Sequence, residues 1–278
     1  MKGIIYAVTA SLLIFTACEK NESLPGTATS TQPTQKGKKN KLELNIQGLE
    51  QLGSAAKYEG WLIVNGMPVS TGKFEVTPNG MLAPSQFNVN QDYLDDAAMF
   101  VLTIEPNPDN DPGPSDVHIL AGAFNGSDAS LTVDHPAALG DDFMSATGNY
   151  LVATPTTSSM NDEDQGIWFI DNSSGMGMAG LSLPALPAGW RYEGWTVIGG
   201  VPLSTGTFLA TDIADDAAPF SGPLASPPFP GEDFIMNPPA GVMFPPDLEG
   251  APIVISIEPY PDNSPAPFTL KPLAGSVP

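Results

Sequence analysis

The feature that most limits what this chain can fold into is that it repeats itself. Tyr58-Glu59-Gly60-Trp61 continues through Gly66, Pro68, Ser70-Thr71-Gly72 and Phe74. The same residues return 134 positions later as Tyr192-Glu193-Gly194-Trp195, Gly200, Pro202, Ser204-Thr205-Gly206 and Phe208, with ten of seventeen positions identical. A second block, Val101, Ile104-Glu105-Pro106, Pro108-Asp109-Asn110, Pro112 and Pro114, returns 153 positions later. Its copies are Val254, Ile257-Glu258-Pro259, Pro261-Asp262-Asn263, Pro265 and Pro267, followed at the same offset by Leu273-Ala274-Gly275 for Leu120-Ala121-Gly122. Two blocks kept in order and spacing mark a tandem duplication. The offsets differ by 19 residues, an insertion between the blocks of the second copy.

Each copy reads as strands. β-Branched and aromatic residues dominate Trp61-Leu62-Ile63-Val64 and Trp195-Thr196-Val197-Ile198. Asn65-Gly66 and Gly199-Gly200 are two-residue hairpin signals, and residues 69–76 and 203–210 supply return strands. Residues 100–105 and 253–258 are further strands, each stopped by proline. A hairpin is expected over 118–134 with its turn at Asn125-Gly126, and one helical turn at 91–98. Glycine and proline number 28 and 30, too many helix breakers for a helical fold. The expected fold is all-β: two tandem β-sandwich domains of immunoglobulin-like size, residues 42–137 and 138–278, related by internal duplication. The Pro-rich insertion near 211–250, with Pro227-Pro228-Phe229-Pro230, Pro238-Pro239 and Pro245-Pro246, cannot be a central strand. It is expected to form a long ordered loop over the second domain.

The N-terminus points to export. Lys2 precedes an uncharged stretch from Gly3 to Ala17, shorter than a membrane span but suited to a signal peptide. It ends Phe15-Thr16-Ala17-Cys18, which resembles a bacterial lipobox and implies cleavage after residue 17 and acylation of Cys18. An ordinary secretory signal with an incidental cysteine is the alternative. Cys18 is the chain's single cysteine, so no intramolecular disulfide can form. Glu19-Lys20-Asn21-Glu22 resembles the surface-export signal of Bacteroidetes-type lipoproteins, and residues 18–41 read as a flexible tether. The expected location is the outer membrane or cell surface, held to the bilayer through acylated Cys18.

The strands of both copies carry a family resemblance. Tyr58-Glu59-Gly60-Trp61-Leu62-Ile63, Pro68-Val69-Ser70-Thr71-Gly72-Lys73-Phe74 and Leu102-Thr103-Ile104-Glu105-Pro106 with its trailing prolines resemble the extracytoplasmic domain of the anti-sigma-K factor family. The resemblance implies a β-sandwich and covers most of residues 42–278. Members of that family also have a cytoplasmic sigma-binding domain, often with a His and Cys zinc site, and a transmembrane helix. This sequence has neither, so the resemblance implies the fold without sequestration of a sigma factor.

Charge and side-chain chemistry narrow the function. From Leu42 onward only Lys57, Lys73, Arg191 and Lys271 oppose 29 acidic residues, a net of −25. Nucleic acid is therefore excluded as a partner, because binding it requires a basic footprint. His118 and His135 stand in no metal-pair spacing, and no Gly-x-Ser-x-Gly elbow is present. Glu105, Glu258, Glu59 and Glu193 recur in both copies and read as structural acceptors at strand ends. No metal or cofactor is expected. Asp109-Asn110-Asp111 and Asp262-Asn263 suggest calcium as the alternative, although Asx turns after proline explain the same residues. Trp61 and Trp195 read as core, whereas Trp190, beside Arg191 after Gly189, is expected to be exposed and to contact a ligand. The resulting expectation is a non-catalytic envelope protein that binds or senses an envelope protein or glycan. A structural or adhesive surface module and a glycan hydrolase are the alternatives. Paired carboxylates in an aromatic-floored groove would favour the hydrolase.

Overall fold

The computed structural model describes residues 10–15, 39–159, 161–262 and 264–278. The described residues are nearly all β and divide into two compact units, within residues 8–138 and 139–278. Cys18, the tether up to residue 38 and Asn263 lie outside the described residues.

In the unit of residues 8–138 the strands are β1 (Ala10–Phe15), β2 (Lys39–Asn45), β3 (Ala56–Val64), β4 (Met67–Val76), β5 (Leu82–Ala83) and β6 (Gln86–Asn90). Helix α1 (Gln91–Asp96) leads into β7 (Ala97–Pro106), β8 (His118–Asn125) and β9 (Asp128–Leu131). They form one nine-stranded sheet in the order β5-β4-β3-β7-β8-β9-β1-β2-β6. One hydrogen-bonded ladder thus runs through all nine strands. The hairpin Asn65-Gly66 has φ of 51° and 78°, the left-handed pair that a type I′ turn requires. Asn90 caps α1 by accepting from Asp92 N at 3.1 Å, and the helix stops after six residues with Leu94 as its buried residue. A core of Trp61, Val101, Ala121 and Ala138 packs with Ile63, Met99 and Ala137.

The unit of residues 139–278 contains β10 (Thr147–Gly148), β11 (Leu151–Val152), β12 (Gly166–Trp168), β13 (Ile170–Asp171), β14 (Met178–Ala179) and β15 (Leu181–Ser182). The longer strands follow: β16 (Trp190–Ile198), β17 (Val201–Phe208), β18 (Gly231–Asp233), β19 (Pro252–Pro259) and β20 (Leu273–Ser276). Its main sheet runs β17-β16-β19-β20, beside a three-stranded β11-β12-β18 and the pairs β10-β15 and β13-β14. The insertion is more than a loop. It contributes β18, which pairs with β12 in the register Gly166↔Asp233, and three rings, Phe220, Phe234 and Phe244, with centroids 5.4–6.0 Å apart. Proline excludes Pro227–Pro230 from a ladder, but residues 231–233 carry no proline and are fully buried.

The repeated motif takes one geometry in both units. Tyr58 pairs with Phe74 and Tyr192 with Phe208. Trp61 pairs with Val101 and Trp195 with Val254. Both central strands carry a register shift at the Gly-Trp step, Gly60/Trp61 and Gly194/Trp195. Glycine is required there. A Cβ on Gly60 would lie 2.6 Å from Phe100 Cζ and Thr71 Oγ1, and one on Gly194 would lie 2.4 Å from Thr205 Oγ1.

Candidate functional site

The repeated acidic residues assemble at the Pro-bounded end of the central strands. Burying an indole requires a partner for its N–H, and the motif supplies one twice. Trp61 Nε1 donates to Thr103 Oγ1 at 2.9 Å, and Trp195 Nε1 donates to Ser256 Oγ at 2.8 Å. Each hydroxyl then donates to the glutamate two residues on, Thr103 to Glu105 and Ser256 to Glu258. A backbone N–H adds a further bond to each glutamate: Ser115 N donates to Glu105 Oε1 at 2.9 Å, and Phe268 N donates to Glu258 Oε1 at 2.8 Å. On the neighbouring strand Ser70 donates to Glu59 and Ser204 to Glu193. These donors all come from the same chain, and each gives a buried carboxylate at least one of the hydrogen bonds that burial requires.

The units part company at the centre of this cluster. In the first, Glu59 stands directly across the ladder from Lys73. Lys73 Nζ lies 2.8 Å from Asp109 Oδ2 and 3.5 Å from Glu59 Oε2. Its bond to Asp109 raises the Lys73 pKa and lowers that of Asp109. In the second unit the residue across from Glu193 is Thr207. Its hydroxyl donates to Asp216 Oδ2 at 2.7 Å, away from the cluster. Oxygens of Glu193, Glu258 and Asp262 all lie within 4.8 Å of one another. Burial, countered by the Ser204 hydrogen bond and reinforced by Glu258 and Asp262, pushes Glu193 up to about 8.

Of the residues singled out from sequence, Trp190 requires correction. It is 2 % exposed, as the first residue of β16, with its ring 5.9 Å from that of Phe268. Gly189 ends the preceding loop, but packing against Phe268, 78 positions on in the segment between β19 and β20, buries the indole. Arg191 is half-buried, with NH1 3.3 Å from Asp216 Oδ2 and its guanidinium 4.1 Å from the Tyr260 ring centroid. Trp61, Trp168 and Trp195 are buried as well, so the four tryptophans form no exposed sugar platform. A surface recess lined by Tyr150, Phe169, Leu181, Ile253, Ile255 and Leu273 has no carboxylate in its lining. His118 Nδ1 lies 3.0 Å from the Ala137 carbonyl, and His135 Nδ1 accepts from Ala137 N at 3.1 Å. The Asp-Asn segments form Asx turns: Asp109 Oδ1 accepts from Asp111 N at 2.9 Å and Asp262 Oδ1 from Ser264 N at 2.8 Å.

A second buried acidic group was not expected from sequence. Asp233 accepts from Thr156 N at 2.8 Å, the Thr156 hydroxyl, and Trp168 Nε1 at 2.7 Å. Glu232 accepts from the Ser221 hydroxyl, and Asp215 accepts from Gly231 N at 2.9 Å. Gly166 leaves room for this arrangement, since a Cβ there would lie 2.2 Å from Asp233 Oδ1.

Compared with known proteins, the chain matches no family model, no curated protein and no solved structure.

Proposed function

We propose that this chain is a non-catalytic, lipid-anchored cell-envelope protein, built by duplication of a β domain resembling the extracytoplasmic part of anti-sigma-K factors. Its two β units bind or sense a partner outside the cytoplasm. The observation that carries this reading is Cys18, the chain's single cysteine, at the end of an uncharged run behind Phe15-Thr16-Ala17. The shared register of the two Tyr-Glu-Gly-Trp strands supports the duplication. The scaffold bonds made by Glu59, Glu105, Glu193 and Glu258 favour binding over hydrolysis. Acyl chains bury about 0.8 kcal/mol per methylene, so two or three chains hold a protein to a bilayer firmly.

Cleavage before Cys18 would remove β1, which pairs with β2 and β9, so processing is directly visible in the mass of the product. Expression in a bacterial host with a lipoprotein pathway should give membrane-associated protein whose intact mass begins at Cys18 and carries acyl chains. Cys18→Ser should raise the detergent-free soluble fraction at least about tenfold. A full-length, unacylated product that partitions equally with and without the substitution overturns the anchor.

A further inference from the structure

We propose that the second unit binds one calcium ion between Glu193, Glu258 and Asp262. Three carboxylate oxygens within 4.8 Å of one another form an all-oxygen set, which selects a hard cation over a thiophilic one. Calcium accepts several carboxylates in a flexible shell, whereas magnesium keeps most of its waters and is seldom held by a protein-only cage. A set of three protein carboxylates therefore favours calcium, with water or backbone oxygen completing its shell.

Two independent observations point to a cation at this place. Glu193 is 4 % exposed, and while its Oε1 accepts from Ser204, its Oε2 is buried and accepts from no donor among the described residues. That carboxylate faces Asp262. The other observation is the first unit, where the corresponding Glu59 and Asp109 are bridged by the Lys73 ammonium. Thr207 replaces Lys73 and cannot supply a charge. Residues 139–278 contain two basic side chains, Arg191 and Lys271. Arg191 pairs with Asp216, and Lys271 Nζ donates to the Pro267 carbonyl at 3.3 Å. Among the described residues, no basic side chain forms an ion pair with Glu193 or Asp262. One unit thus carries its cation as a side chain, and the other takes it from solution, which an extracytoplasmic location would supply. Only residues of the second unit enter, so membrane anchoring and ion binding succeed or fail separately.

The test uses the full chain after chelation. Equilibrium dialysis should give one calcium per chain. Calcium at about a hundredfold excess over its dissociation constant should raise the unfolding midpoint by roughly 5–10 °C, and magnesium should give a smaller shift. Terbium, a calcium surrogate, should luminesce on excitation of Trp195, whose indole is hydrogen-bonded to the Ser256 hydroxyl that holds Glu258. Thr207→Lys should weaken calcium binding at least about tenfold, because an ammonium then competes for the site, while leaving the calcium-free midpoint equal or higher. Glu193→Gln, which keeps the side-chain shape, should also weaken binding and guards against a misfolded lysine variant. Absence of bound calcium at millimolar concentration, a larger response to magnesium, or one ion still bound with unchanged affinity in Glu193→Gln overturns the assignment.

Discussion

Replacing Asp233 with alanine is expected to lower the unfolding midpoint of residues 139–278 by roughly 10 °C, the largest effect of any single carboxylate removal. Asp233 is fully buried and receives the Thr156 N–H, the Thr156 hydroxyl and the Trp168 indole N–H. Alanine leaves all three donors in a dry interior. Each buried donor left unsatisfied costs about 1–3 kcal/mol, so three cost at least about 3 kcal/mol, and about 3 °C of midpoint accompanies each kcal/mol in a domain this size. The loss should spread beyond the residue itself. Thr156 Oγ1 also accepts from Gly222 N at 2.7 Å, and the Asp233 backbone anchors β18 to β12. Asn at this position keeps one acceptor but turns an amide donor toward other donors, so Asp233→Asn should fall between wild type and alanine. Asp212→Ala, on the exposed surface of the same insertion, should change stability by less than about 0.5 kcal/mol. Calorimetry of the three variants decides the matter, and a shift under about 2 °C for Asp233→Ala would mean that water replaces the carboxylate freely.

Asp233 also shows where reading the sequence stops. The hairpins were legible because their signals are local: Asn65-Gly66 and Gly199-Gly200 adopt positive φ at all four residues. Strands β4 and β17 follow those turns within two residues of the expected starts. The hairpin of β8 and β9 and the turn of helix at Gln91–Asp96 were legible for the same reason. Strand β18 was not, because three residues among prolines show no periodicity, and its partner β12 lies some 65 positions earlier in the chain. Trp190 failed similarly, since Phe268 rather than a sequence neighbour decides its burial. The cation cluster was half visible. Repetition singled out Glu59, Glu105, Glu193 and Glu258 and, through Asp262, the Pro-x-Pro-Asp-Asn segments. The replacement of Lys73 by Thr207 stood in the same alignment, but its meaning depends on register. Only the ladder pairs Glu59 with Lys73 and Glu193 with Thr207, turning an unremarked substitution into the loss of a counter-charge.

Three carboxylates of the second unit lead to the second large effect, an inverted pH dependence. Calcium-free protein should lose stability as pH rises from about 5 to 8, where most acidic proteins are flat or gaining. Burial is the first cause in each case. It pushes Asp215 up to about 8, against the Gly231 N–H bond and with the help of Glu232 and Asp216. It pushes Glu232 up to about 7, against the Ser221 and Phe220 bonds and with Asp233 adding to the rise. Glu193 rises to about 8 for the reasons given above. A carboxyl whose folded pKa exceeds its unfolded value keeps its proton longer in the folded state. Its contribution is complete below the unfolded pKa near 4 and disappears as pH climbs through the folded pKa. Asp109 and Asp171, whose pKa values are lowered, act in the opposite sense but only below about pH 4, outside this window. One such group can change stability by at most about 1.4 kcal/mol per pH unit. With partial hydration allowed for, the three together should cost about 3 kcal/mol between pH 5 and 8. Urea unfolding in chelator at four pH values measures this directly. Glu232→Gln should flatten the slope by removing one titration, and calcium should flatten it further by holding Glu193 ionised at no cost to the fold. A rising stability across the same interval in chelator would show that these carboxylates are hydrated and ionised in the folded protein.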